Sequence, residues 1–391
     1  MVSFSHGGAG YRCAAAPGDS EPAMETLTLT IGEEYSGKRL DAALADILPR
    51  ELPEVFAGTS RAQVQKLIAA GGVALDDELV PKSRTVKGGE EVEVELALWE
   101  ELKVDRGAIQ FSEDELAFDF PILYEDEWML IGVKPAGIVV HPTPGMNEPT
   151  LVDLLRAKHF RLADTDDALK PGIVHRLDKG ASGLLIVAKD TPTHFALQQL
   201  FRRREVAKFY LALTLGADIS GHGEIRSYLD RNPKHRQLFR TAEEGRLAVS
   251  FFRVLESSHL LKLLLVRIIT GRTHQIRVQL QSRGQFIVGD EDYSRGINRE
   301  LMHFLQGERD RSYKRAWSEA LPDEAKRRDL LAAIESCDGI FLHAWHLRFR
   351  HPHTGAEIAL FAEPPLYFQR ALDVMGWQLP QRDPRELIDV G

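Results

Sequence analysis

The chain has 391 residues, 43% hydrophobic and 27% charged, with 31 Gly and 19 Pro, a composition that excludes disorder and collagen-like structure. At roughly 100 to 200 residues per domain there is room for two or three. The net charge of −9 argues against nucleic-acid binding by bulk electrostatics, so a polyanionic partner would need cations concentrated locally.

Cys13 and Cys337 are the two cysteines; they are far apart, form no C-x-x-C, and exclude a disulfide framework or a thiolate zinc site. A reducing cytoplasm fits this usage. The longest apolar run, Leu260 to Ile269, is broken by Lys262 and Arg267, well short of the ~20 residues a membrane helix needs. The N-terminus lacks the apolar core of a secretory signal. Residues 1–24, rich in Gly and Pro, read as a flexible tail, and Met24 is a second candidate start.

Residues 25–97 read as a small α+β module. Leu40, Ala43, Leu44 and Ile47 have helical spacing, followed by a turn around Pro49 and Pro53. A second helix starts at Ser60, a good N-cap, with Val64, Leu67 and Ile68 on one face and Gly71-Gly72 ending it. Val73 to Leu75 and the alternating Val92 to Leu96 read as strands. Arg61, Lys66, Lys82 and Arg84 lie in or beside this unit.

Residues 98–121 are acidic and aperiodic and read as a linker. From residue 122 to 391 β-branched runs alternate with helical stretches: Met129 to Val133, Gly183 to Val187, Lys208 to Leu213, Ala248 to Val254 and Leu260 to Ile269 as strands, Leu151 to His159 and Thr193 to Phe201 as helices. The expected class is α+β, a mixed, largely antiparallel sheet flanked by helices. Residues 294–340 read as a charged helical surface insertion, Pro322 standing at the first position of a helix and Gly339 as its terminator.

Charge is unevenly spread. Nine Lys/Arg against four acids lie between Arg202 and Arg240, and residues 257–289 carry five cations and no carboxylate. Each run alone is an ordinary solvated face; two of them near a reactive cluster favour an anionic partner.

That cluster is PGIVHRLDKGASGLLIVAKD, residues 171–190, which crowds His175, Arg176, Asp178 and Lys179 into a glycine-punctuated loop. On residue type alone Asp178 is a nucleophile, a general base, a metal ligand or a loop residue paired with Arg176. TGRTHQIRVQL, residues 270–280, sets Arg272, His274 and Arg277 at the end of a strand-like run, alternation placing Gln275 and Arg277 on one face. In KFY, Lys208 and Tyr210 point the same way if the segment is a strand. A metal-dependent hydrolase built on His175, Asp178, His274 and His343 is the alternative chemistry, but their spacing matches no metal motif.

HRLDKGASGLLIVAKD, then KFY, TGRTHQIRVQL, GDEDY and LHAWHLRFRHPHTG, in that order, resemble the RluA family of pseudouridine synthases. YEDEWMLIGVKPAGIVVHPTPGMNEPTLVDLL upstream matches too, and the likeness runs from about Glu125 to Ala362. SRAQVQKLIAAGGVALDDELVPKSRTVKGGEEVEV is similar to the alpha-L RNA-binding motif, with Asp76-Asp77 replacing the common Asn-Gly, and the pairing of the two modules resembles the RluD and RluC branch. The resemblance implies a catalytic set of Asp178, Tyr210 and Arg277: Asp178 as the catalytic carboxylate, Tyr210 stacking on the target base and taking part in proton removal, and Arg277 pairing with the carboxylate. It implies substrate contacts from Arg176, Leu342, Lys208, Arg272 and His274, and RNA contacts from Arg61, Lys66, Lys82 and Arg84. It further implies RNA as partner, large-subunit ribosomal RNA first and transfer RNA second, free or in a ribosomal particle; no metal or other cofactor; and a monomer. Gly180-Ala181 in place of Asp-Thr, and Gln279 in place of His, depart from the family pattern. A non-catalytic RNA-binding or ribosome-assembly factor on the same fold is the remaining alternative.

Overall fold

A computed structural model describes residues 26–388, apart from 57–58, 76–77, 82, 97, 100–110, 112–118, 143–145, 147, 166–168, 217–218, 220, 236 and 308–313. The expected tail, most of the expected linker, the Asp76-Asp77 hairpin and Lys82 therefore lie outside the described residues. Contacts group the chain into two units, the first essentially Met1–Gln110 and the second from Phe111 onward.

In the first unit β1 (Thr26–Thr30), α1 (Leu40–Glu51), α2 (Pro53–Phe56), α3 (Arg61–Ala69), β2 (Val73–Leu75), β3 (Glu78–Leu79) and β4 (Glu91–Glu95) follow one another. The strands form an antiparallel sheet in the order β1-β4-β2-β3. Alternation in β4 buries Val92 and Val94 against Leu44, Leu48, Val64 and Leu67 from the helices. Ser60 caps α3 through a capping box, its Oγ accepting from Gln63 N at 3.4 Å while Gln63 Oε1 accepts from Ser60 N at 2.7 Å. Pro49 sits inside the last turn of α1 and does not end the helix as expected. The acidic stretch after β4 contributes to this core through Trp99, which is buried, packs its ring tilted against Phe56 and donates from Nε1 to Val55 O at 3.3 Å.

Asp41 is the one fully buried carboxylate among the described residues of this unit; it accepts from Arg39 at 3.0 and 3.1 Å, from Arg61 Nη2 at 3.0 Å and from Gln65 Nε2 at 2.6 Å. The Arg39 hydrogen bonds, helped by Arg61 and Gln65, outweigh burial and hold its carboxyl below the usual carboxylate range. A depressed folded-state pKa gives stability that is present above the unfolded value of about 3.9 and is lost as pH falls through the folded value. Asp41→Ala is expected to cost roughly 2 to 4 kcal/mol at neutral pH by stranding the guanidinium and amide donors. Hydrogen exchange of the α1 amides should show that gap narrowing as the pH drops below about 4; a gap that does not change with pH would leave the ion pairs without energetic weight.

The second unit contains β5 (Ile122–Glu125), β6 (Met129–Lys134), α4 (Leu151–Ala157), β7 (Ser182–Ala188), α5 (Thr191–Arg202), β8 (Ala207–Gly216), β9 (His222–Arg231), β10 (Phe239–Ala242), β11 (Arg246–Ser257) and β12 (Lys262–Ile268). Then come α6 (Gln275–Ser282), β13 (Gln285–Ile287), α7 (Ile297–Leu305), α8 (Lys314–Ala320), α9 (Glu324–Glu335), β14 (Leu342–Arg350), β15 (Glu357–Phe361), α10 (Leu366–Met375) and α11 (Pro384–Leu387). One sheet runs β10-β9-β11-β12-β8-β14-β7-β6-β5, with β13 beside β8 and β15 beside β14. Its pairs are antiparallel except β14 with β7. The class is the mixed, largely antiparallel sheet with flanking helices that the sequence implied. The apolar runs of β7 and β12 are buried on both faces, which is why they show no alternation.

Two expectations are corrected. The end of TGRTHQIRVQL is helix α6, opening after His274 at φ 56°, and not the continuation of a strand. Gln275 to Leu280 are all buried, so polar and apolar residues alternate on a helix that packs on every side and the 3.6 period is hidden. Gln275 and Gln279 are satisfied through Ser250, Gln275 Nε2 donating to Ser250 Oγ at 2.8 Å and Ser250 Oγ to Gln279 Oε1 at 2.6 Å. Residues 294–340 are also more than a surface appendage: Leu301, Phe304, Leu305, Trp317, Leu321, Leu330 and Ala333 join the main core. Helix α9 is capped by Asp323, accepting from Ala325 N at 2.8 Å, so Pro322 precedes the cap; Gly339 lies beyond the helix end.

Candidate active site

Asp178 sits in the loop that leads into β7, its side chain 15% exposed. The loop is held from several directions. His175 Nε2 accepts from Ile186 N at 3.0 Å and its ring stacks on Phe201, so this histidine is part of the support; burial drives its pKa to about 3. Ala181 N donates to Asp178 O at 3.1 Å, closing a tight turn. Gly137 N donates to Lys179 O at 2.9 Å, and buried Lys134 Nζ donates to Pro135 O, Ile138 O and Lys179 O at 2.7, 2.9 and 3.3 Å. Burial lowers the Lys134 pKa to about 7, the nearby Asp178 charge opposing that fall.

Tyr210 on β8, Leu342 at the start of β14, and Arg272 and His274 from the β12–α6 loop converge with Arg176 and Asp178 on one open cleft. Burial, and then the Asp178 charge, push the Tyr210 phenol well above its ordinary pKa, so it stays protonated at neutral pH. His274 Nδ1 lies 2.8 Å from Tyr293 Oη, and burial lowers the imidazole pKa. Asp178 and Arg176 form no ion pair, which removes the loop salt bridge considered above. His343 is in the core, Nδ1 at 2.8 Å from Ser182 Oγ and Nε2 at 3.0 Å from Ala362 O, away from any arrangement with Asp178 and His274. Among the described residues no group of three His, Cys, Asp or Glu could hold a metal.

Arg277 approaches Asp178, Nη1 to Oδ2 at 3.9 Å, but that is not its closest ion pair. Asp290, 1% exposed, takes its Nε and Nη2 in a bidentate pair at 2.7 Å each, Asp292 takes Nη2 at 2.7 Å, and the guanidinium lies 4.7 Å over the Tyr293 ring. Burial opposes the charge, yet the Asp290 hydrogen bonds and the surrounding carboxylates raise the Arg277 pKa above its ordinary value. Asp290, Asp292 and Tyr293 belong to GDEDY, a segment the sequence marked as a motif without giving it a task.

A second open groove, about 940 Å³, shares Arg176, Tyr210 and Arg272 with the cleft and adds Phe201, Arg202, Arg204 and Lys208. Among the described residues no acidic one lines it. Arg176, Arg202 and Arg204 pair with no described carboxylate, and burial lowers the Lys208 pKa to about 8. Cations beside an aromatic floor suit a single-stranded nucleic acid. In the first unit, Arg61 and Arg84 are held by Asp41 and Glu90 at 3.0 and 2.8 Å while remaining 49% and 37% exposed. Among the described residues no helix is long and apolar enough to cross a membrane.

Residues 129–282 match the family model described as RNA pseudouridylate synthase. The chain is 32% identical over 357 residues to a ribosomal large subunit pseudouridine synthase D of Xanthomonas campestris pv. campestris, covering 91% of this chain and 95% of that protein. It is 33% identical over 347 residues to a protein of the same name in Nitrosomonas europaea, covering 88% and 86% respectively. An uncharacterized RNA pseudouridine synthase of Aquifex aeolicus is 34% identical over 341 residues, 86% of this chain and 93% of that one.

Proposed function

The chain belongs to the RNA pseudouridylate synthase family, and from that premise we propose that it converts particular uridines of large-subunit ribosomal RNA to pseudouridine, with Asp178 as the catalytic residue. The observation that carries the reading is the convergence of Asp178 and Tyr210 on one cleft, with Arg277 3.9 Å behind Asp178, in a chain whose named relatives act on the large ribosomal subunit.

The reaction is an isomerisation. The N1–C1′ bond of uridine breaks, the uracil turns within the site, a C5–C1′ bond forms, C5 loses its proton and N1 gains one. There is no net redox change. A carboxylate at the cleft floor serves either by adding covalently to the nucleoside or by taking the C2′ proton, and both roles fall to Asp178. A uridine stacked in RNA is out of reach of that carboxylate, so the nucleotide is flipped out at a cost of roughly a few kcal/mol. Tyr210 and Leu342 give the displaced base an aromatic and an apolar surface in exchange. Arg176, Arg272 and His274 line the entrance, and the basic groove that continues from it takes the strand. The first unit acts as an alpha-L RNA-binding domain through Lys66 and the exposed parts of Arg61 and Arg84.

Release of tritium from RNA labelled at uridine C5 tests this, because C5 gives up its hydrogen only when the new carbon–carbon bond is made. With RNA from a strain lacking the gene, release is expected from large-subunit ribosomal RNA, free or as particles. Release from transfer RNA alone would replace the target; no release from any of the three would favour an inert RNA-binding factor.

A further inference from the structure

Residues 338–341, the end of the helical segment before β14, thread between the loop at Gly137, which supports the Asp178 loop, and the two loops that carry Asp178 and Asp290. Gly137 in the first loop, at φ 86°, faces Asp338: a Cβ there would meet Asp338 Cβ at 3.2 Å and Asp338 O at 3.3 Å. Gly180, two residues after Asp178, faces Gly339: a Cβ on Gly339 would collide with Gly180 O and reach Gly180 Cα at 2.7 Å. Gly289, next to Asp290 and at φ 81°, faces the same residue, a Cβ there meeting Gly339 O at 2.7 Å. Backbone hydrogen bonds fasten the segment in this glycine-lined slot. Ile340 N donates to Gly180 O and Phe341 N to Val288 O, both at 2.9 Å, and Leu213 N on β8 donates to Phe341 O at 3.0 Å. The next residue, Leu342, lines the cleft.

We infer that residues 338–341 are a positioning element which sets the distance between the loop carrying Asp178 and the loop whose Asp290 orients Arg277. The inference rests on the assignment of Asp178 and Arg277 to the chemistry. One short peptide is bonded to both loops at main-chain distance, with glycine on each side of the contact, so a shift of this peptide moves the two charged groups relative to each other. The helices α7 to α9 anchor its upstream end in the core through Phe304, Trp317 and Leu330. Gly180, one of the two departures from the family pattern, lies against this same peptide, a Cβ there meeting Ile340 Cγ2 at 3.3 Å and Gly339 Cα at 3.4 Å.

The test compares the full chain with Gly339→Ala and a Gly180→Ala and Gly180→Val series. Gly339→Ala is expected to lower kcat for tritium release roughly 10- to 100-fold, as for an ångström-scale misplacement, with KM for RNA kept within about twofold. A methyl at position 180 meets Ile340 Cγ2 at 3.3 Å, so Gly180→Ala should lose less than Gly339→Ala, and Gly180→Val more than Gly180→Ala. Hydrogen exchange of the Gly137 and Ala181 amides, read on the same proteins, should speed up in Gly339→Ala whether or not the chain turns over any RNA. That readout separates failure of the positioning role from failure of the functional assignment. If Gly339→Ala does not fold, the Gly180 series carries the test. Unchanged kcat in the folded variants, or a rise in KM in place of a fall in kcat, would overturn the inference, as would unaltered exchange at both amides.

Discussion

Asp178→Asn should abolish tritium release, lowering turnover by up to roughly 10⁴-fold, while the protein folds and binds RNA as before. The substitution keeps the shape of the side chain and removes its charge, basicity and nucleophilicity. Its structural cost should be small: the described contacts of the Asp178 side chain are one ion pair at 3.9 Å, with no hydrogen bond, and Arg277 keeps its closer pairs to Asp290 and Asp292. Affinity for RNA should hold or rise slightly, because a negative charge is removed from a site that receives a polyanion. Tritium release, RNA binding and thermal unfolding, measured together, separate these effects. Residual release above background would remove Asp178 from its place as the essential group, and loss of RNA binding would make it a binding residue.

Much of this site was legible in the sequence, but through two different routes. Element positions came from local physics: Ser60 was an evident cap, and β6, β7, β8 and β12 were evident as runs of strand-forming residues. The gathering of Arg176, Asp178, Tyr210, Arg272, His274 and Leu342 on one cleft came from the ordered motifs, since spacing alone left Asp178 open to four roles. What stayed hidden are partners to which the local sequence pattern does not point. Helix α6 looked like a strand because Gln275 and Gln279 are buried and satisfied by Ser250 some 25 to 29 residues earlier. The ion pairs of Arg61 and Arg84, read only as RNA contacts, were not visible because their carboxylate partners, Asp41 and Glu90, are not at helical pair spacing. The charge of residues 294–340 pointed to solvent, although the apolar positions between those charges enter the core. Gly339 read as a helix terminator because its actual neighbours, Gly180 and Gly289, are distant along the chain.

The assignment of Arg277 is the clearest case of a role that motif order suggested and geometry refined. Its guanidinium has five N–H donors in a rigid plane. Asp290 occupies the Nε and Nη2 side of the fork and Asp292 shares Nη2, which leaves Nη1 as the edge turned toward Asp178. The orientation of that edge is therefore dictated from behind, by a buried carboxylate that does not touch the cleft carboxylate. Arg277→Lys keeps the charge but offers one ammonium where two opposite edges are needed, so kcat should fall roughly 100- to 1,000-fold. Asp290→Asn places an amide donor against guanidinium donors in a buried position, and should cost roughly 3 to 5 kcal/mol of stability together with most of the activity. Asp292, whose side chain is 52% exposed, makes a solvent-screened pair worth about 1 kcal/mol or less, so Asp292→Asn should change kcat by no more than about threefold. Turnover and thermal unfolding of the three variants decide between orientation and charge: a large loss in Arg277→Lys requires the fork, whereas near-normal turnover there would mean that positive charge alone, from any side chain at this position, is what Asp178 needs.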